Sequence, residues 1–249
     1  MTSPALENQN PGVGVAVRAV AVTFGGQALL SVTAVAALTE LGLAIRRRRR
    51  PRNWALIVIG GAMAYEVGLK PWMRSWGATP EETTRPLPGD ELVADPGIEI
   101  THAVTIEAPV EEVWPWLAQI GQDRAGFYSY EWLENLAGCE MRNADRVHPE
   151  WQQREVGERV SLHPAIPGLA VTLFEPGRCI GLEGWGMFLV EPAAEGTTRL
   201  IARGRIPHGT ATVSYRTLLE LPHFIMQRRM LLGIKARAEA TSPAPATGI

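Results

Sequence analysis

The chain has 249 residues, enough for one or two domains with a sizeable core. Its 24 basic and 26 acidic side chains leave a formal charge of −2, which excludes the chain-wide positive field of a nucleic-acid binder. Cys139 and Cys179 are too far apart for a metal knuckle and too few for a disulfide framework. They read as two unpaired small hydrophobes, with a single bridge open to them in an oxidising compartment.

Residues 1–12 read as a disordered N-terminus and 13–73 as a transmembrane hairpin. From Ala19 to Thr39 no residue is charged, about the length a helix needs to cross a bilayer. Gly25, Gly26, Ser31 and Thr33 suit helix–helix contact in lipid. A second apolar run leads from Trp54 to Trp72, roughly 27 Å at a helical rise of about 1.5 Å per residue. Tryptophan at both ends fits an interfacial belt, and only Glu66 and Lys70 interrupt the run. Arg46 to Arg50, with Arg52, form the turn between the two helices. Such a turn stays cytoplasmic, so the C-terminal domain is expected outside the cell membrane, with the bilayer as a partner. Buried helices of a soluble protein are the alternative.

Residues 74–97 carry prolines and glycines without apolar periodicity and read as a linker. A domain follows over 98–240. Ile98, Ile100, His102, Val104 and Ile106 alternate with Glu99, Thr101, Ala103, Thr105 and Glu107, the pattern of a half-buried strand. Pro109 then opens a helix whose first turn holds Glu111 and Glu112, and Pro115 is expected to kink or shorten it. Residues 158–163, 169–175, 179–185, 187–192 and 198–206 read as a meander of strands. "EPGR" at 175–178 has the chemistry of a type II turn. In the last strand Arg199, Arg203 and Arg205 share the wet face. A helix from about Pro222 to Ala240 ends the domain, apolar on most sides with Arg228, Lys235 and Glu239 on one stripe. Residues 241–249 read as a disordered tail.

This order of elements, with "TIEAPVEEVWPWLAQIG" at the first strand-to-helix junction, resembles the START-like helix-grip superfamily (SRPBCC; polyketide cyclase/dehydrase and lipid transport proteins). The blocks "WGATPEETTRPLPGDELV", "GFYSYEWLENLAG", "NADRVHPEWQ" and "LPHFIMQRRMLLGIK" are similar to a membrane-anchored bacterial branch of it. The resemblance implies an α+β helix-grip fold, a curved antiparallel sheet wrapped around the long C-terminal helix, with an elongated hydrophobic cavity between them. It also implies a lipid or other hydrophobic small molecule as ligand. Phe127, Tyr128, Tyr130 and Trp132 are expected in the wall or lid of that cavity, with Trp185, Met226 and Met230 beside them.

No nucleotide-binding, nucleophile-elbow or metalloprotease motif is present. The five histidines show no ligand spacing, so no metal and no cofactor is expected. The candidates for acid–base work are His102, Asp145 and His148, with Glu150 and Tyr128 or Tyr130 nearby in sequence. The first reading is a membrane-anchored binding or transfer protein. The alternatives are a cofactor-free cyclase or dehydratase acting on a hydrophobic intermediate, and a non-catalytic tethered scaffold or sensor.

Overall fold

The computed structural model describes residues 32–194 and 196–241. The alternating apolar segment forms β1 (Pro96–Ile106), and the meander supplies β2 (Arg159–Val160), β3 (Leu169–Glu175), β4 (Cys179–Leu182), β5 (Gly186–Pro192) and β6 (Thr198–Pro207). They make one six-stranded sheet in the order β1-β6-β5-β4-β3-β2. Every pairing is antiparallel, so short turns suffice between neighbours from β3 to β6. The turn from β3 to β4 closes as its Pro-Gly pair implies. Gly177 has φ 74° and the Arg178 amide donates to the Glu175 carbonyl at 3.0 Å.

On the inner face, Val104, Ile106, Phe188, Val190, Leu200 and Ala202 meet the apolar sides of two helices. With the helices numbered in chain order from α1 (32–46), and α6 at Glu131–Leu136, these two are α5 (Val110–Ala118) and α8 (Glu220–Thr241). Pro115 lies inside α5, which stops at Ala118, a short helix as a mid-helix proline requires. Helix α8 crosses this face with Met230, Leu231, Ile234 and Ala238 buried. Its polar stripe is not idle. Lys235 donates to the Thr105 carbonyl at 2.8 Å, and Glu239 accepts from the Glu107 amide at 2.8 Å, fixing the helix to the end of β1.

The outer face is not wet. Residues 77–93, read from sequence as linker, lie across it as a strap containing the short helix α4 (Pro80–Thr84). Leu87 of the strap joins Ala103, Cys179, Met187, Leu189 and Ile201 in a second buried cluster. The arginines of β6 hold the strap down. Arg199 Nε donates to Glu82 at 2.7 Å and Arg203 Nη2 donates to the Glu82 carbonyl at 2.6 Å. Arg205 Nη1 donates to the Asp90 carbonyl at 2.6 Å, and Arg85 of the strap reaches back to Glu191 at 3.2 Å. Thr79 and Glu82 form a reciprocal capping box that starts α4. Burial opposes ionisation of Glu82, but the bonds from Arg199 and Thr79 outweigh it and hold the carboxyl below its usual range.

The expected membrane hairpin, and with it the expected fold class and multi-pass placement, needs correction. Its first helix, 19–39, falls partly outside the described residues. The second apolar run is helical but interrupted: α2 (Asn53–Ala64), a π-helical stretch (Tyr65–Leu69) and α3 (Lys70–Arg74). Among the described residues no helix is long and apolar enough to cross a membrane. The physical reason lies at the end of the run, which is bonded to the domain. Arg74 Nε donates to Glu220 at 2.6 Å, Lys70 lies 3.3 Å from the same carboxylate, and the Met73 carbonyl accepts from His102 at 2.7 Å. What stands is the α+β sheet with its long C-terminal helix.

Gly233 sits where α8 passes the Tyr128 backbone, and a Cβ there would overlap the Tyr128 carbonyl oxygen and Cβ. The neighbour it would strike is backbone, which cannot swing aside. Gly233→Ala is expected to lower unfolding free energy by about 1–3 kcal/mol, the usual cost of overpacking, in urea denaturation followed by circular dichroism. Unchanged stability would show that this close approach is not required.

Candidate functional site

Three elements leave a gap where they meet at one end of the sheet. The strap ends in Gly89, Asp90, Leu92 and Val93 on one side. The ends of β4, β5 and β6 supply Leu182, Met187, Arg203, Arg205 and Ile206. Helix α7 (Thr210–Ser214) and the π-helical turn Tyr215–Leu219 close the third side through Ala211, Tyr215 and Leu219. The result is a cleft of about 620 Å³ with a mostly apolar wall. Gly186 makes the corner. Its φ of 130° lets β5 begin against the Arg203 carbonyl, where a Cβ would not fit.

Asp90, Arg203 and Arg205 of the wall are tied together through Glu99. Arg203 is 4% exposed, and its Nη1 lies 3.2 Å from both Asp90 Oδ2 and Glu99 Oε1. Arg205 Nε donates to Glu99 Oε2 at 2.8 Å. Arg203 Nε and Asp90 Oδ1 are buried without a hydrogen-bond partner.

Behind Tyr215 the cleft wall continues into a buried polar cluster. The Tyr215 hydroxyl and His223 Nδ1 share a hydrogen bond of 2.7 Å. The His102 ring centre lies 6.3 Å from that of His223. A carbonyl only accepts, so the bond from His102 Nε2 to Met73 fixes the proton on Nε2 and leaves Nδ1 a bare, buried acceptor. Burial lowers the His102 pKa to about 4, partly offset by the Met73 bond. Burial, and then the neighbouring His102, lower that of His223 to about 3. Burial and then the Glu220 carboxylate push the Tyr215 hydroxyl upward.

The residues expected at a ligand site are placed elsewhere. Phe127, Tyr128 and Met230 are buried in the main core, between sheet and α8. Tyr128 adopts φ 56°, held by the bond from its amide to Asn143 at 2.7 Å and the bond from Gln119 to its hydroxyl at 2.8 Å. Trp185 packs 5.2 Å from Phe127 and 5.6 Å from Phe188, ring centre to ring centre. Tyr130 lies under Arg229, Trp132 is 67% exposed, and the Met226 carbonyl accepts from the Ser129 hydroxyl at 3.0 Å. None of the seven borders the cleft.

The catalytic candidates are not joined to one another by any hydrogen bond or ring contact among the described residues. His102 is enclosed on β1, Asp145 is exposed, and His148 stacks on Trp151 at 4.1 Å with Glu150 3.1 Å from its Nδ1. Among the described residues no cluster of His, Cys, Asp or Glu could hold a metal. Both cysteines are free thiols, raised to about 11 by burial. Sequence reasoning missed Tyr215, His223 and Glu220, which follow a strand end and carry no motif. It had a usable signal for the strap: three arginines on one strand face and an acidic segment, Glu81, Glu82 and Asp90, just before the domain. Neither a protein-family model nor a curated protein sequence matches the chain.

The folded chain keeps His102 neutral down to about pH 4, whereas an unfolded histidine takes a proton near pH 6.5. Stability contributed by the neutral ring is therefore complete above about pH 6.5 and is lost as pH falls from there towards about 4. The difference in urea stability between wild type and His102→Asn is expected to shrink across that window. A difference independent of pH would mean the ring takes its proton at the same pH in the folded and unfolded chain.

Proposed function

We propose that the chain binds a hydrophobic small molecule in the cleft between strap, sheet end and α7. The observation that carries this reading is the cleft itself. Its volume of about 620 Å³ falls within the range of roughly 300–1,000 Å³ typical of small-molecule sites. Leu92, Val93, Leu182, Met187, Ile206 and Leu219 give it an apolar wall, which supplies about 25 cal/mol per Å² of ligand surface removed from water, before the costs of association. Met187 is the adaptable part of that wall, since a thioether side chain repacks around ligands of different outline.

The START-like helix-grip reading belongs to the same proposal. It is supported by the strand order β1-β6-β5-β4-β3-β2 and by the long α8 across the inner face. Between sheet and helix, Trp116, Tyr128, Phe188, Met230 and Leu231 are buried in one core cluster. The binding space proposed for this chain is displaced to the strap side of the sheet end.

The test is a fluorescence titration of the purified chain with Nile red, an uncharged apolar dye. Saturable binding is expected, and Ala211→Trp, which places an indole in the cleft from an exposed helix position, is expected to weaken it at least about tenfold. Equal affinity in the variant would remove the cleft as the binding site.

A further inference from the structure

The charges on the cleft wall decide what kind of head group a ligand can carry, an inference that rests on the binding function just proposed. Two cations border the cleft, Arg203 and Arg205. Both are engaged. Arg203 Nη1 lies between Asp90 and Glu99, 3.2 Å from each, and its Nη2 donates to the Glu82 carbonyl at 2.6 Å. Arg205 holds Glu99 at 2.8 Å and the Asp90 carbonyl at 2.6 Å. Two guanidinium groups thus meet two carboxylates, Asp90 and Glu99, and their charges cancel. Arg203 Nε lacks a partner, but it is buried and belongs to a guanidinium already neutralised. The remaining charged group of the wall is Glu183, exposed and in no ion pair among the described residues.

An anionic amphiphile entering this cleft would give up the water around its carboxylate or phosphate. It would find no cation free to replace that water, and it would approach the Glu183 carboxylate. A ligand without charge has neither cost. We propose that the cleft selects uncharged apolar molecules and rejects fatty-acid-like and phosphorylated amphiphiles. The Arg203–Arg205–Asp90–Glu99 quartet acts as the discriminating element.

Displacement of Nile red by dodecanol and by dodecanoate, at about pH 8 where the carboxyl is ionised, reads this directly. Dodecanol is expected to bind the wild-type chain at least about tenfold more tightly. Chain hydrophobicity alone favours the alcohol, so variants decide the matter. Asp90→Asn and Glu99→Gln each release a guanidinium from one carboxylate. Glu183→Lys adds a free cation at an exposed position where folding does not depend on the side chain. Each is expected to raise dodecanoate affinity about tenfold relative to dodecanol. Comparable wild-type affinity for the two probes, or Glu183→Lys without any gain for dodecanoate, would overturn the inference while leaving the cleft a binding site. Failure of both probes to displace the dye would overturn the binding function with it.

Discussion

The ion-pair ladder between β6 and the strap is the constraint on which the rest of this structure turns. Arg199, Arg203 and Arg205 alternate onto one face of a strand that pairs on both sides, so they cannot turn away without breaking the sheet. Left uncovered, the same face would also expose Ile201, Leu189 and Met187 beside them. The strap answers both demands at once. Its acidic and carbonyl oxygens accept from the three guanidinium groups, and Leu87 fills the apolar patch between them. Buried ion pairs add little net stability over an apolar contact of the same shape. What they add here is register, since a carboxylate one residue out of place would leave a charged arginine unpaired under the strap.

The second seam works on the opposite face with a similar logic and a different chemistry. Glu220, 2% exposed, is shared by Lys70 and Arg74, while Lys70 also bonds Glu66 at 2.5 Å. Trp72 and Trp76 pack edge-on against Phe224 alongside these charges, at 5.4 Å and 6.5 Å. The segment that reads as the end of a membrane helix is therefore a structural part of the domain. Arg74 finds its partner, Glu220, 146 residues away in sequence, which no local pattern reveals.

The sheet was largely legible because its signal is local. Alternation places β1 and β6, Pro-Gly places the turn at 175–178, and the apolar stretch after Pro222 places α8, which begins at Glu220. The strand expected at 158–163 is reduced to Arg159–Val160, the edge of the sheet, which pairs only with β3. The cleft was not legible: its apolar wall is mainly aliphatic, and the aromatic residues that stand out in the sequence do not border it. Phe127 and Tyr128 do turn inward, into the core cluster between sheet and α8. Periodicity reports which side of a strand is apolar. It does not report what covers the other side, and here that cover makes one wall of the cleft.

Glu82 and Arg199 lie 117 residues apart, and the strap precedes the first strand while its anchor is the last. Loop closure over such a separation cannot bring gain until β6 has paired with β1. The strap must then seat late, after the sheet is assembled, and a chain emerging from synthesis carries its acidic segment unattached until nearly the whole domain is out. The cleft, which has that segment for a wall, is among the last features of the molecule to exist.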